Sequence, residues 1–419
     1  MAAHDIFAAL KVRDFAMLWV GSLASSFAMN MQIIARGWLV YTLTESPLDL
    51  GWVTLSFMLP TVIFSLWGGA LADRLHKRRI IVAAQLLNTL ATLLMAAIVL
   101  QGHVTFWDFI WFGFFNGAVL ALSMPARQAF VPELIPERLI FTAMALNTTS
   151  WNLSRIVGPA LAGLLIAVLA DGDTGSSYGV GILYLIIAAL YFLSSLTMLG
   201  VSVPGNIKAA DGKGLADDVV AGLHYVRGEA AVLALILLSL VPFMFGMTVN
   251  TLLPAFNQDV LGGGPEDLGF LVSTMGGGAI VGSLMMAAMG GMRRKGYWLL
   301  LSMLLWGSAT LIFGLAQSFM TALGIMILIG WVSAWNMSLN RGLLLQQASA
   351  EMRGRILSID MMSHGLMPLG VIPVTLVAEY TSVGTGIMFS GLAFLLATGA
   401  LLLMPSVRQL DQSLAARPL

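Results

Sequence analysis

The chain has 419 residues, with 21 acidic and 21 basic side chains, so charge gives no case for a nucleic-acid partner. Hydrophobic residues make up 58% and charged residues 10%, against about 25% charged in a soluble domain, which excludes a soluble globular protein. Cysteine is absent, which removes disulfides, thiolate catalysis and cysteine metal sites.

Residues 1–16 carry Ile6, Phe7 and Leu10 at helical spacing among His4, Asp5, Lys11, Arg13 and Asp14, an amphipathic segment ahead of the first apolar run. That run is too long for the core of a signal peptide and is expected to be retained as a span. Twelve apolar runs follow one another, at 17–43, 48–72, 79–100, 106–126, 139–169, 179–203, 231–257, 266–290, 296–316, 319–345, 356–380 and 383–404. Most have the length of a tilted membrane helix, about 20 to 30 residues, and they lack the alternation of barrel strands. The predicted fold class is an all-α integral membrane protein with twelve transmembrane helices.

Charge tests that count. Asp73, Arg74, Lys77, Arg78 and Arg79 crowd the short turn between the second and third runs, which the positive-inside rule places in the cytoplasm. Every other lysine and arginine except Arg36 and Arg155 then falls on the same side. The opposite loops carry Glu45, Asp49, Asp108, Asp171, Asp173, Asp259, Glu266, Asp267 and Glu379. Both termini are expected in the cytoplasm.

The long internal loop at 204–230 starts as a Gly/Pro-marked linker and continues at 215–228 with Leu215, Val219, Leu223 and Val226 on one face, the pattern of an interfacial helix. The expected organisation is an N-terminal six-helix bundle (1–203), this cytoplasmic linker (204–230) and a C-terminal six-helix bundle (231–419). Leu50-Gly51-Trp52-Val53 against Leu268-Gly269-Phe270-Leu271, Arg127 against Arg341, and Gly158 against Gly370 lie at offsets of 218, 214 and 212 residues. The halves therefore read as repeats, an arrangement that places a substrate near the midplane.

Gly69-Ala70-Leu71-Ala72-Asp73-Arg74-Leu75-His76-Lys77-Arg78 resembles the signature loop between helices two and three of the major facilitator superfamily, departing from it at His76, where the superfamily has glycine. The stretches 38–47, 125–134 and 158–163, with Arg353-Gly354-Arg355, narrow the likeness to the drug-exporter branch that includes the enterobactin exporter and the macrolide efflux proteins. The resemblance implies two six-helix bundles that rock about a central site in the bacterial inner membrane. It also implies a cytoplasmic gate in which Asp73, with Arg74, Arg78 and Arg79, latches helix two against the start of helix eleven near Asp360. A carboxylate beside a helix N-terminus is stabilised by the unpaired amides there. Gly158, Pro159 and Gly163 resemble an antiporter motif of the fifth helix, and Gly278 and Gly282 give the eighth span a similar small surface. A sliding seam between those spans and ordinary packing within one half both fit.

Arg36 and Arg155 are the sharpest candidates for a site. An arginine at a helix centre costs about 2.5 to 3.5 kcal/mol on insertion scales, so it faces a cavity or a partner. No carboxylate occupies a comparable depth. An anionic substrate group, a carboxylate or catecholate, is one reading; bonds to backbone carbonyls or a rim acid are the other. Asn30, Gln32, Asn116, Asn250, Trp331, Trp335, Asn336 and Asn340 lie on spans one, four, seven and ten, which line the cavity in the fold the resemblance implies. For proton coupling the candidates are His364, in the eleventh span, and the acids Asp108 and Glu133.

The function expected is secondary active export of an amphiphilic small molecule, a drug, siderophore or metabolite, by a monomer using proton antiport. A lipid or lysolipid flippase of the same fold is the alternative, and a membrane scaffold or sensor a third. No cofactor is implied, and neither a metal cluster nor a nucleophile with its base can be assembled from these residues.

Overall fold

In hydrocarbon every backbone N–H and C=O must find its partner within the chain, and a run of 20 to 30 apolar residues does so by becoming a helix. The computed structural model describes residues 8–170, 177–205, 224–288, 294–349, 352, 356, 359–360, 364–408 and 410, with the side chains of Leu66, Ala70, Asp73, Ala287, Ala288 and His364 outside the description. Outside it as well lie residues 1–7, most of the amphipathic linker stretch (206–223), and Arg353 and Arg355.

The first six spans are α1 (Arg13–Thr44), α2 (Pro47–Arg74), α3 (Lys77–Leu100), α4 (Phe106–Phe130), α5 (Ile140–Leu169) and α6 (Ser177–Leu199). After the linker, α7 (Ala230–Val241) and α8 (Thr248–Asp259) are joined end to end by a π-turn at Pro242–Gly246. Then come α9 (Pro265–Ala288), α10 (Lys295–Phe313), α11 (Phe319–Gln347), α12 (Met367–Tyr380) and α13 (Val383–Leu402). With Ala230–Asp259 taken as one, eleven described segments are long and apolar enough to cross a membrane, and Met367–Tyr380 is a shorter apolar helix between the tenth and eleventh of them.

Local chemistry sets the joints. Glu45 ends α1 in the left-handed region at φ 49° and returns its N–H to Tyr41 O, and Pro47, with no N–H to leave unpaired, opens α2. Ser318 and Ser382 cap α11 and α13 by accepting from the amides of Thr321 and Thr385. The π-turn begins at Pro242, which cannot donate to the preceding turn; Met247 N–H reaches back five residues to Pro242 O instead, at 2.9 Å. Ser390 Oγ donates to Phe245 O inside that turn.

The chain folds as two compact units. One comprises Met1–Glu45, Val53–Gly212 and Gly264–Ser273; the other comprises Ser46–Trp52, Lys213–Gly263 and Thr274–Leu419. Each unit thus takes in the start of one helix from the opposite half of the sequence. In the first, α1 packs on α5 and α6, and α3 on α4 and α6; in the second, α10 packs on α11 and α13, and α12 on α13. Glycine sets the closest approaches: a side chain at Gly117 would strike the carbonyl of Phe57, and one at Gly330 that of Met275.

Candidate functional site

The basic turn between α2 and α3 is anchored within the first unit. Lys77 is 1% exposed and its Nζ lies 2.9 Å from Glu133 Oε1, on the 3-10 turn Val131–Glu133 that ends α4. Arg78 directs Nε to Met198 O at 3.2 Å and Nη2 to Leu199 O at 2.7 Å. Those are terminal carbonyls of α6, where the negative end of a helix favours a cation. His76 Nδ1 stands 3.1 Å from Gly205 O, and Gly205, at φ +88°, lies flat against Lys77 and Phe130. Around these polar groups Phe15, Leu18, Ile81, Phe130 and Leu146 form a continuous apolar cluster. Arg74 and Arg79 are exposed. The side chain of Asp73 is outside the description, and Asp360 is buried in the second unit.

Deeper in the first unit, Gln32 and Arg36, one turn apart on α1, meet Tyr184 and Tyr191, two turns apart on α6. Tyr191 donates its hydroxyl to Gln32 Oε1 at 3.1 Å. The Arg36 guanidinium lies 5.3 Å above the ring of Phe57 and within electrostatic reach of both phenols. Tyr184 is fully buried, its ring edge-on to Phe112, and its hydroxyl has no hydrogen-bond partner among the described residues. Arg127, on the last turn of α4, reaches Ser22 Oγ at 3.1 Å and Ser25 Oγ at 3.0 Å on α1. Asn30 and Asn116 return their amides to carbonyls of their own helices, Ser26 O and Phe112 O. Arg155, midway along α5, has no hydrogen bond or ion pair among the described residues. One turn on, Gly158 seats α5 against Asn30 of α1, and Pro159, lacking its N–H, leaves the carbonyl of Arg155 without its helical donor.

Two of the three coupling candidates have defined partners. Asp108 accepts from the amide and hydroxyl of Thr105, at 2.8 and 2.7 Å, and so caps α4; Glu133 is paired with Lys77. The side chain of the third, His364, lies outside the description.

The second unit gathers indoles and amides. Trp335 lies beside Trp298, tilted at 41° with ring centroids 6.0 Å apart, and meets Trp331 edge-on at 5.8 Å. Asn336 Nδ2 donates to Ser302 Oγ at 2.9 Å, Asn340 is buried with its Oδ1 unpartnered among the described residues, and Asn250 turns its amide to Met247 Sδ. At the far end of α12, Glu379 Oε2 accepts from Ser46 Oγ at 2.8 Å and from Leu48 N at 3.1 Å, capping the first residues of α2.

The small residues form two different contacts. Gly163 lies against the carbonyl of Pro265, and Gly269 against that of Pro159, while Ser273 Oγ donates to Ile156 O, all within the first unit. Gly278 and Gly282 instead lie against Ile327 and Trp331 of α11, within the second unit.

A family model described as transmembrane secretion effector matches residues 4–418. The chain belongs to that family. It is similar to the staphyloferrin A transporter of Staphylococcus aureus, at 26% identity over 83% of this chain and 85% of the other. Macrolide efflux protein A of Streptococcus pyogenes is 23% identical over 95% and 97%. Among solved structures, the nucleoside transporter NupG superposes with a TM-score of 0.71 at 15% identity, over 96% of this chain and 98% of that one. A bacterial homologue of the human lysosomal transporter Spinster gives 0.70 at 11% identity, over 97% of each. The fold of this secretion effector is that of the major facilitator transporters, not of an enzyme.

Sequence reasoning passed over several of the groups that organise this secretion effector. Lys77 reads as one more cation of a topogenic turn, and its burial depends on Glu133 and Gly205, both remote in the chain. Arg127 reads as a loop residue at the end of the fourth run, whereas its helix continues to Phe130 and carries it onto α1. Tyr184 and Tyr191 carry a readable signal in hindsight: two phenols seven residues apart fall on one face of the helix and mark a polar stripe.

Proposed function

We propose that this chain exports amphiphilic small molecules bearing an anionic group by alternating access in the inner membrane, as a monomer with both termini in the cytoplasm, driven by proton entry. The observation that supports the reading is the pair Arg36 and Arg155. Both lie within spans of the first unit, and neither has an acidic partner among the described residues. A guanidinium in a bundle interior demands a counter-charge or a wet cavity, and a substrate anion supplies the first from the second. The relatives named for staphyloferrin A and for macrolides support movement of such molecules across a membrane. The bundles 1–203 and 231–419, joined by 204–230, are the rocking bodies, and Asp73 with Arg74, Arg78, Arg79 and Asp360 forms the cytoplasmic gate; Asp73→Asn is expected to insert normally and turn over slowly.

The decisive experiment is a thermal-shift panel on the purified protein with amphiphilic carboxylates and catecholates against lipophilic cations, since a ligand stabilises the fold it binds by RT ln(1 + [L]/Kd). Anions are expected to raise Tm in the wild type and not in Arg36→Ala or Arg155→Ala. A shift confined to cations overturns the anionic reading. Proton flux in proteoliposomes with Glu133→Gln, Asp108→Asn and His364→Ala tests coupling. The variant that transports without proton movement identifies the coupling group, and transport unaffected by collapse of the proton gradient removes antiport altogether.

A further inference from the structure

α1 carries a polar face along most of its length. Ser22, Ser25, Gln32 and Arg36 follow at spacings of three, seven and four, which gathers them within about 80° of arc. Other helices of the first unit meet that face. Arg127 of α4 donates Nη1 to both serines, Tyr191 of α6 donates to Gln32, and Tyr191 stands within electrostatic reach of both Arg127 and Arg36. Arg155 comes to it from α5. Trp19 donates to Leu146 O and Gly158 lies on Asn30, offsets of 127 and 128 residues, so α1 and α5 run side by side. Arg155 is then level with residues 27–28 of α1. Arg127, Arg155 and Arg36 succeed one another along the axis of α1 at intervals of about 6 and 13 Å.

The donors on this track open onto space. All three arginines are partly exposed, and none of their nitrogens is among the buried unpaired atoms of the chain. No carboxylate pairs with any of them among the described residues. At Arg127 the two serines occupy Nη1 alone, which fixes the plane of the guanidinium and leaves its Nε and Nη2 edge without an acceptor among the described residues. Two parallel N–H groups on one edge match the two oxygens of a carboxylate.

We propose that Arg127 is the first carboxylate-binding site on the export path. Ser22 and Ser25 hold its guanidinium so that the free edge takes the acid group of the amphiphile, which then passes to Arg155 and on to Arg36. On the orientation given by the basic turn, Arg127 stands at the cytoplasmic end of α4, where a molecule to be exported enters. A series of like sites lets the group leave each one, as passage along several sites requires. This site rests on the anionic reading of Arg36 and Arg155, and adds to it a residue and an order.

The test uses the purified full-length protein with dansyl-labelled undecanoate and its methyl ester, which share an apolar body and differ in charge. Phenylglyoxal modifies accessible guanidinium groups, and mass spectrometry reads the adducts residue by residue. Arg127 is expected to react in the free wild type and to be protected by the acid, not by the ester. An Arg127 that does not react, or that the ester protects as well as the acid does, overturns the proposal. Fluorescence titration gives a second readout. Arg127→Gln, which removes the charge and the free edge, is expected to weaken binding of the acid about tenfold and leave that of the ester unchanged. Arg127→Lys, which keeps the charge but not the edge, is expected to weaken the acid less. Wild-type affinity for the acid in Arg127→Gln overturns the proposal; if that variant does not fold, protection of the wild type decides alone. Protection at Arg36 and Arg155 with none at Arg127 removes this site and leaves the anionic reading standing. Equal binding of acid and ester by the wild type removes both.

Discussion

In the first unit Lys77, Arg127, Arg36 and Arg155 are each met differently: Lys77 by a carboxylate, Arg127 by two serine hydroxyls, Arg36 by an aromatic ring, and Arg155 by no hydrogen bond or ion pair among the described residues. In the second unit the buried polar groups described are neutral for the most part, the indoles of Trp306, Trp331 and Trp335, the amides of Asn336 and Asn340 and the hydroxyl of Thr310. There the close contacts are glycine against backbone, as at Gly278, Gly282 and Gly330. The two units thus hold their buried polar groups in different ways. One positions charge, where the cost of an error is electrostatic; the other positions surfaces, where the cost is steric.

The largest effect expected from that contrast is at the buried ion pair. Lys77→Met should destabilise the purified protein by about 3 to 5 kcal/mol, because it leaves Glu133 with an uncompensated charge, and Lys77→Met with Glu133→Gln should recover most of the loss. If the double variant is no more stable than the single in chemical denaturation, Lys77 acts through packing and the electrostatic account of the first unit fails.

A smaller effect distinguishes two neighbouring glycines of the second unit. A methyl at Gly278 meets the carbonyl of Ile327, whereas one at Gly277 meets nothing within 4 Å. Gly278→Ala should lower stability by about 1 to 3 kcal/mol as overpacking does, and Gly277→Ala should be neutral or slightly stabilising. Equal Tm values for the two would mean that α9 and α11 can separate at no cost.

The smallest is at the serines that hold Arg127. Ser25→Ala removes one acceptor of the guanidinium and should cost about 1 kcal/mol, with Ser22→Ala similar. The two together should exceed the sum of the singles, since either hydroxyl partly covers for the other. Strict additivity in melting experiments would place water, not protein, at that charge.

The spans themselves were legible, because hydrocarbon thickness imposes a length and a composition that a sequence shows directly. The run expected at 106–126 appears as Phe106–Phe130, and that at 319–345 as Phe319–Gln347. What each helix turns toward its neighbours was not legible. A helix apolar on every side carries no periodic signal of its rotation, so nothing in the eighth run tells whether Gly278 and Gly282 look toward α5 or α11. The polar exceptions carry more: Arg36 and Gln32, one turn apart, share one face of α1, and in the structure Gln32 meets Tyr191 of α6. The seventh run, read as continuous from 231 to 257, conceals the π-turn at Pro242. The proline is visible there, but Pro60, Pro125 and Pro159 lie inside helices that continue without such a turn.

That turn sets the second unit apart from the described helices of the first. A π-turn is a helix with one residue to spare, and passing the surplus to a neighbouring turn exchanges only a few hydrogen bonds while rotating the intervening side chains by about 100°. In the span from Ala230 to Asp259 that spare residue lies beside Met244, Phe245 and Met247, the side chains such a shift would turn. α1, at 32 residues unbroken, has no such turn.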